Sequence, residues 1–170
     1  MNNLYIIGFM GAGKSTIGSL LKEKTKQNFY DLDEEIEKST NLKISKIFEI
    51  YGERYFRKLE TKILKNIAKQ NNYIVSTGGG TILKRKNLKI MQKSGTILFL
   101  NCPLSICLNR IKNKNTRPLL LNNKQKIENM FNKRQKKYLK IANITVENYK
   151  TKEDCLNLIL EKLKYYRPLD

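Results

Sequence analysis

The stretch Gly8-Phe9-Met10-Gly11-Ala12-Gly13-Lys14-Ser15 follows directly on an apolar run, Leu4-Tyr5-Ile6-Ile7. Its spacing is G-x-x-x-x-G-K-[ST], set between a segment that reads as a buried strand and one that reads as a helix. No other feature constrains the chain as strongly. Bare backbone must approach a chain of phosphates, so glycines stand where side chains would block it. Backbone amides of residues 11–16, at the mouth of a helix, are expected to surround the anion, which makes Gly11, Ala12, Gly13, Lys14, Ser15 and Thr16 the nucleotide cradle. Lys14 is expected to reach the β- and γ-phosphates and the Ser15 hydroxyl to ligate Mg2+.

Along the rest of the chain, apolar runs alternate with helical patterns. Strands are expected at 4–7, 28–33, 73–77, 96–100 and 143–147. Helices are expected at 14–26, over EEIEKST, ISKIFEIYG and ERYFRKLETKILKNIAKQ, over KRKNLKIMQKSG closed by Gly95, from Pro103 to about 112, at 124–142, and over TKEDCLNLILEKLKYY capped by Thr151. Short apolar strands alternating with helices predict an α/β protein, a parallel sheet covered on both faces. There are no repeats and no linker long enough to divide the chain, so residues 1–170 read as one domain. Ligands of such sheets bind at the C-terminal strand ends. Three of these ends carry the glycine loop, Asp31-Leu32-Asp33 and Gly78-Gly79-Gly80.

Each of these other motifs admits a plain reading beside a chemical one. Strand spacing puts the Asp31 and Asp33 carboxylates on one side, where Asp31 can support Mg2+ and Asp33 can accept a proton from a substrate hydroxyl. Alternatively, Asp33 only caps the following helix. Glu53, Arg57 and Glu60 share a helix face, either as solvated ion pairs or as a braced arginine for an anionic group. The three glycines either contact a ligand ring or form a flexible turn. Residues 113–123 lack periodicity and read as a lid in which Arg117 closes over the transferring phosphoryl group. Arg134 belongs to a basic helix face by composition alone.

Charge adds one useful count. The net charge is +19, from 34 basic and 15 acidic residues, which points to nucleic acid, to an anionic small substrate, or to codon-driven drift toward lysine. Lysines spread over every segment favour drift. Only seven of the basic residues are arginine, so each is a candidate for a place where a planar fork is needed. Cys102, Cys107 and Cys155 fit no metal spacing, and with no histidine and no CxxC pair no zinc site is expected; buried thiols in a reducing compartment are expected. No apolar stretch spans a bilayer and no leader pattern opens the sequence, so a cytoplasmic protein without membrane contacts is expected.

Taken in order, GFMGAGKSTIG, DLD, GERYFR, VSTGGG, NTRPLL and KRQKKY resemble shikimate kinase over nearly the whole chain. The resemblance implies phosphorylation of the 3-hydroxyl of shikimate by Mg-ATP, a step toward chorismate and the aromatic amino acids. It implies a fold like the nucleoside monophosphate kinases: a five-stranded parallel sheet in order 2-3-1-4-5, a lid at about 112–123, and a helical shikimate-binding region at about 32–60. Residue by residue, it implies that Asp33 holds the shikimate hydroxyls as base candidate and that Asp31 lies near Mg2+. Arg57 and Arg134 would grip the carboxylate, with Gly79 and its neighbour Gly80 against the ring. Arg117 would be the lid arginine on ATP, and Arg110 would flank the adenine. The adenine loop would fall at 147–154, where Asn148, Lys150 and Lys152 stand without a decisive motif. A monomer with shikimate as its small-molecule partner is expected.

Two other readings stay open on the residues alone. One is a P-loop kinase for a nucleotide or for gluconate, itself a carboxylated polyol. The other is a nucleic-acid-binding protein on a kinase fold, for which the charge speaks but no recognition motif does.

Overall fold

The computed structural model describes residues 2–111 and 124–166. Five parallel strands form one sheet: β1 (Asn3–Ile7), β2 (Asn28–Asp31), β3 (Tyr73–Ser76), β4 (Gly95–Asn101) and β5 (Ile144–Glu147). Their order is β2-β3-β1-β4-β5, as the resemblance implies. β1 is central, with Tyr5 opposite Val75 on one side and Ile97 on the other. It is buried along its whole length, which explains an uninterrupted apolar run in place of an alternating one.

Seven helices cover the sheet among the described residues: α1 (Lys14–Thr25), α2 (Leu32–Thr40), α3 (Ile44–Ile67), α4 (Arg85–Ser94), α5 (Leu104–Asn109), α6 (Lys124–Ile141) and α7 (Lys152–Tyr166). Successive strand side chains point to opposite faces and so divide the core in two. Tyr5, Ile7, Val75, Ile97 and Phe99 pack with Leu64, Met91, Phe131 and Tyr138 of α3, α4 and α6. Leu4, Ile6, Ile74, Leu98 and Leu100 pack with Ile17 and Leu21 of α1 and Ile159 of α7. A third, smaller cluster of Ile36, Ile47 and Phe56 ties α2 to α3. Among the described residues no helix is long and apolar enough to cross a membrane.

Three expectations are corrected. First, β2 stops at Asp31, and Asp33 lies in the first turn of α2. The Asp31 carboxylate is the helix cap: its Oδ1 accepts from the amides of Asp33 at 3.0 Å and Glu34 at 3.4 Å. Asp33 is therefore not the cap, and the two acids do not share a strand face. Second, Gly95 does not close α4 in a left-handed turn; its extended backbone opens β4, where a side chain would strike the Asn3 carbonyl. Third, the two helices expected on either side of Gly52 run on as one element, broken only at Gly52 (φ 75°, ψ 170°). Nothing lies within 4 Å of the side chain Gly52 lacks, so glycine is there for its backbone conformation and not for space. Thr151 caps α7 as expected, accepting from the Asp154 amide at 3.1 Å.

Candidate active site

The phosphate-binding loop leaves the central strand and turns into α1. Gly11 and Gly13 hold positive φ (77° and 89°), and a side chain at Gly11 would run into the Cys107 carbonyl. Gly13 occupies the helix N-cap position and offers no side-chain cap, so the first-turn amides are left without a side-chain acceptor, an arrangement suited to an anion. Ala12 donates its amide to the Phe9 carbonyl at 3.1 Å, and the Lys14 ammonium reaches the same carbonyl at 2.9 Å. Lys14 is thus buried and folded over its own loop. Ser15 and Thr16 are exposed at the helix mouth.

Beside the loop, the Ser15 hydroxyl donates to Asp31 Oδ2 at 2.5 Å, with Ser76 Oγ 3.4 Å away. These are hard oxygen donors from the ends of three segments of the sheet's C-terminal edge. They fit Mg2+, which takes one or two protein oxygens and fills its octahedron with water and phosphate. Since Oδ1 of Asp31 is committed to the α2 cap, Oδ2 is the oxygen that faces this position.

A cavity of about 450 Å³ opens between this edge and helices α2, α3 and α6. Its lining includes Ser15, Asp31, Asp33, Arg57, Gly78, Gly79, Gly80 and Arg134, with Ile44, Phe48 and Phe56 on the apolar side. The two arginines differ in their surroundings. Arg57 binds Glu53 at 3.0 Å and Glu60 at 3.1 Å. Glu60 is fully buried and also accepts from the Thr81 hydroxyl at 2.6 Å. Burial opposes the Arg57 charge, but Glu60 and Glu53 outweigh it and hold the guanidinium above its ordinary value. Burial likewise pushes Glu60 up, with Arg57 and Thr81 pulling against it. Arg134 is 6 % exposed, lies over the Phe9 ring at 5.9 Å, and has no acidic partner among the described residues. Burial lowers its value, and the nearby Arg57 charge acts in the same direction.

The glycine triplet explains itself against these charges. A Cβ on Gly80 would come within 2.5 Å of Arg57 Nη2. On Gly79 it would stand 3.6 Å from Arg134 Nη1, and on Gly78 it would stand 3.1 Å from both Asp33 Oδ1 and Glu60 Oε1. None of the three has a positive φ. At Gly78 and Gly80 the site's own charged groups press against this floor, and at Gly79 it is the Gly8 carbonyl and the Met10 amide of the phosphate loop. The Tyr138 hydroxyl donates to the Gly79 carbonyl and fixes the floor from below; burial drives its ionisation far up, so it stays a donor.

The structure therefore brings Asp31, Asp33, Arg57, Gly79, Gly80 and Arg134 to one cavity at the mouth of the loop. Arg110 lies on the other side of the loop, 3.7 Å from the position of a Gly13 Cβ. Arg117 and the expected lid at 112–123 lie outside the described residues. Thr81 and Phe48 fall in none of the quoted motifs, and Tyr138, which closes KRQKKY one helical turn beyond Arg134, was given no role there.

A parallel sheet in this order, a phosphate loop after its central strand and a cationic cavity beside it define a P-loop kinase of small molecules. A family model described as shikimate kinase matches residues 10–164. Curated shikimate kinases from Sulfurihydrogenibium sp. and Aquifex aeolicus are 42 % and 43 % identical, covering 96 % and 95 % of this chain and 99 % and 95 % of theirs. A solved shikimate kinase from Acinetobacter baumannii in complex with shikimate superimposes with a TM-score of 0.93 at 32 % identity, covering 98 % of this chain and 95 % of that one. The chain belongs to the shikimate kinase family.

Proposed function

We infer that this chain transfers the γ-phosphoryl group of ATP to the 3-hydroxyl of shikimate, a step of aromatic amino acid biosynthesis. The observation that carries the reading is the cavity that Arg57, Arg134 and Asp33 line together with the glycine floor, at the mouth of the phosphate loop. Shikimate is a small ring with one carboxylate and three hydroxyls. Its carboxylate would take the arginine end, where planar donors match its geometry. Its hydroxyls would take Asp33, and its ring the bare backbone of Gly79 and Gly80.

Held so, the acceptor hydroxyl points toward the loop that holds the phosphates. Amides of Gly11 through Thr16 and the Lys14 ammonium would bind the nucleotide's phosphates and balance charge as it builds on the transferring group. Bound Mg2+ supplies further charge neutralisation, with Ser15 as ligand and Asp31 as its nearby carboxylate. Asp33 orients the hydroxyl and accepts its proton as the new P–O bond forms. Most of the acceleration comes from alignment and charge compensation, as expected for phosphoryl transfer. Arg110 flanking the adenine and Arg117 closing over the phosphates complete the proposal. So do a monomer of one catalytic domain over 1–170, a cytoplasmic location, and no nucleic-acid or membrane partner.

The test is ADP release from Mg-ATP with shikimate, gluconate, AMP and CMP as acceptors, on the native chain and on Asp33→Asn. Turnover with shikimate alone, lost in the variant, is expected. Turnover with gluconate or a nucleotide at a comparable kcat/KM would overturn the substrate assignment.

A further inference from the structure

The residue that follows β5 reaches back across the fold to the phosphate loop. Asn148 is 3 % exposed, and its Nδ2 donates to the Ala12 carbonyl at 2.7 Å, a buried bond between positions 136 residues apart. Its own amide donates to the Asn101 carbonyl at 2.8 Å, which fixes it to the end of β4. Its carbonyl accepts from Arg110 Nη1 at 3.0 Å, and the same nitrogen lies 3.6 Å from the Cys102 sulfur. The fit is close: a side chain on Gly13 would come within 2.7 Å of Asn148 Nδ2.

We propose that Asn148 is a positioning residue for the nucleotide, holding the Ala12–Gly13 peptide and Arg110 in the orientations that binding needs. The peptide unit is planar and trans, so its C=O and N–H point in opposite directions. An amide donor that captures the Ala12 carbonyl on the outer side of the loop turns the Gly13 N–H inward, toward the phosphates. Without that partner the buried carbonyl would be left unsatisfied, and the peptide would be free to rotate toward water. Because the carbonyl of the same residue takes Arg110, the phosphate side and the far side of the nucleotide site are set by one side chain and one backbone group. Asn148 touches none of the cavity-lining groups around Gly78–Gly80, so substrate binding there should not depend on it. The proposal rests on the reading of residues 8–15 as a nucleotide loop.

The test is calorimetric titration of Mg-ADP, and separately of shikimate, into the full chain, with steady-state kinetics on both substrates. Asn148→Ala removes the donor. Asn148→Asp keeps the size but sets an acceptor against the Ala12 carbonyl. One lost buried hydrogen bond corresponds to about a tenfold weakening. Both variants should weaken Mg-ADP by roughly that factor or more and raise the KM for ATP, while shikimate affinity stays within about twofold. Should Asn148→Ala melt too low for titration, Asn148→Asp decides on the same criterion. Unchanged Mg-ADP affinity overturns the proposal, and so does an equal loss of both ligands, which would make Asn148 a scaffold residue only. Lys14→Ala with native Asn148 tests the underlying reading apart from this one: if it leaves Mg-ADP affinity intact, the loop is not the phosphate site and both fall.

Discussion

Alanine at Gly80 is the sharpest probe of the substrate site. The backbone there (φ −100°) accepts any residue, so the substitution carries no conformational strain. What it adds is one methyl group 2.5 Å from Arg57 Nη2 and 2.9 Å from Cζ. Ordinary contact begins near 3.4 Å, so the guanidinium must retreat by about 0.9 Å. It cannot retreat freely, since Glu53 and the buried Glu60 hold it on the other side. A shift of that size breaks the parallel alignment of two N–H donors with a carboxylate. Losing one charged hydrogen bond costs about 1.5–3 kcal/mol. The KM for shikimate should then rise roughly ten- to a hundredfold, the melting temperature should fall as the crowded ion pair yields, and the KM for ATP should move little. Coupled ADP release at saturating ATP reads the first effect, and thermal melting the second. In an Arg57→Lys background the methyl meets no guanidinium, so the same substitution should add almost nothing; this non-additivity ties the effect to the contact. A Gly80→Ala chain with native shikimate KM and native stability would refute the claim that Arg57, as held here, grips the substrate.

On the proposed reading Lys14 serves the phosphates, so Lys14→Ala should abolish measurable turnover while circular dichroism shows the fold retained. Arg57→Lys should mainly raise the KM for shikimate, because a point charge replaces a fork, and an unchanged KM would sink the clamp assignment. Glu60 gives a pH signature. Its folded value lies above the ordinary 4.5, so the folded state binds its proton more tightly than the unfolded state does. The stability linked to this group is therefore fully present below about pH 4.5 and is lost as pH rises through the raised value. Melting curves from pH 4 to 8 should show a smaller decline across that window in Glu60→Gln than in the native chain, and identical slopes would contradict it.

Much of this architecture is written locally. The strand–loop–helix at 4–25 follows from an apolar run and a glycine pattern that admit no other geometry, and the fully buried strands read as unbroken apolar stretches. The loop residues, Asp31 and the glycine triplet were legible as motifs because they stand at strand ends, whereas Arg57 and Arg134 sit within helices α3 and α6. What was not legible depends on contacts between distant segments. The Asp31 side chain takes the helix cap because β2 ends under it, and nothing in DLD says which acid will do so. Gly95 resembles a helix stop, yet it is selected by a neighbouring strand that leaves no room for a side chain. Asn148 looks like a loop residue until Ala12 is seen beneath it.

The charges of the cavity carry the last step. Arg57 is met by two glutamates, one of them fully buried, and so contributes geometry more than net charge. Arg134 is nearly as deeply buried and has no acid beside it among the described residues. A buried cation without a partner is costly, and its cost is relieved by one anion arriving between the two guanidiniums. On the proposed reading that anion is the shikimate carboxylate. A neutral acceptor would leave Arg134 uncompensated, and a dianion would bring more charge than this end of the cavity is built to match. On that reading, specificity for a monocarboxylate arises from an asymmetry between the two arginines, one braced by acids on its own helix and one set in a basic helix. Replacing Glu53 by Gln should weaken discrimination by adding net positive charge beside Arg57, and competition by a dicarboxylate inhibitor should strengthen relative to shikimate binding in that variant. Unchanged selectivity between mono- and dicarboxylates in Glu53→Gln would separate charge from shape and leave shape as the selector.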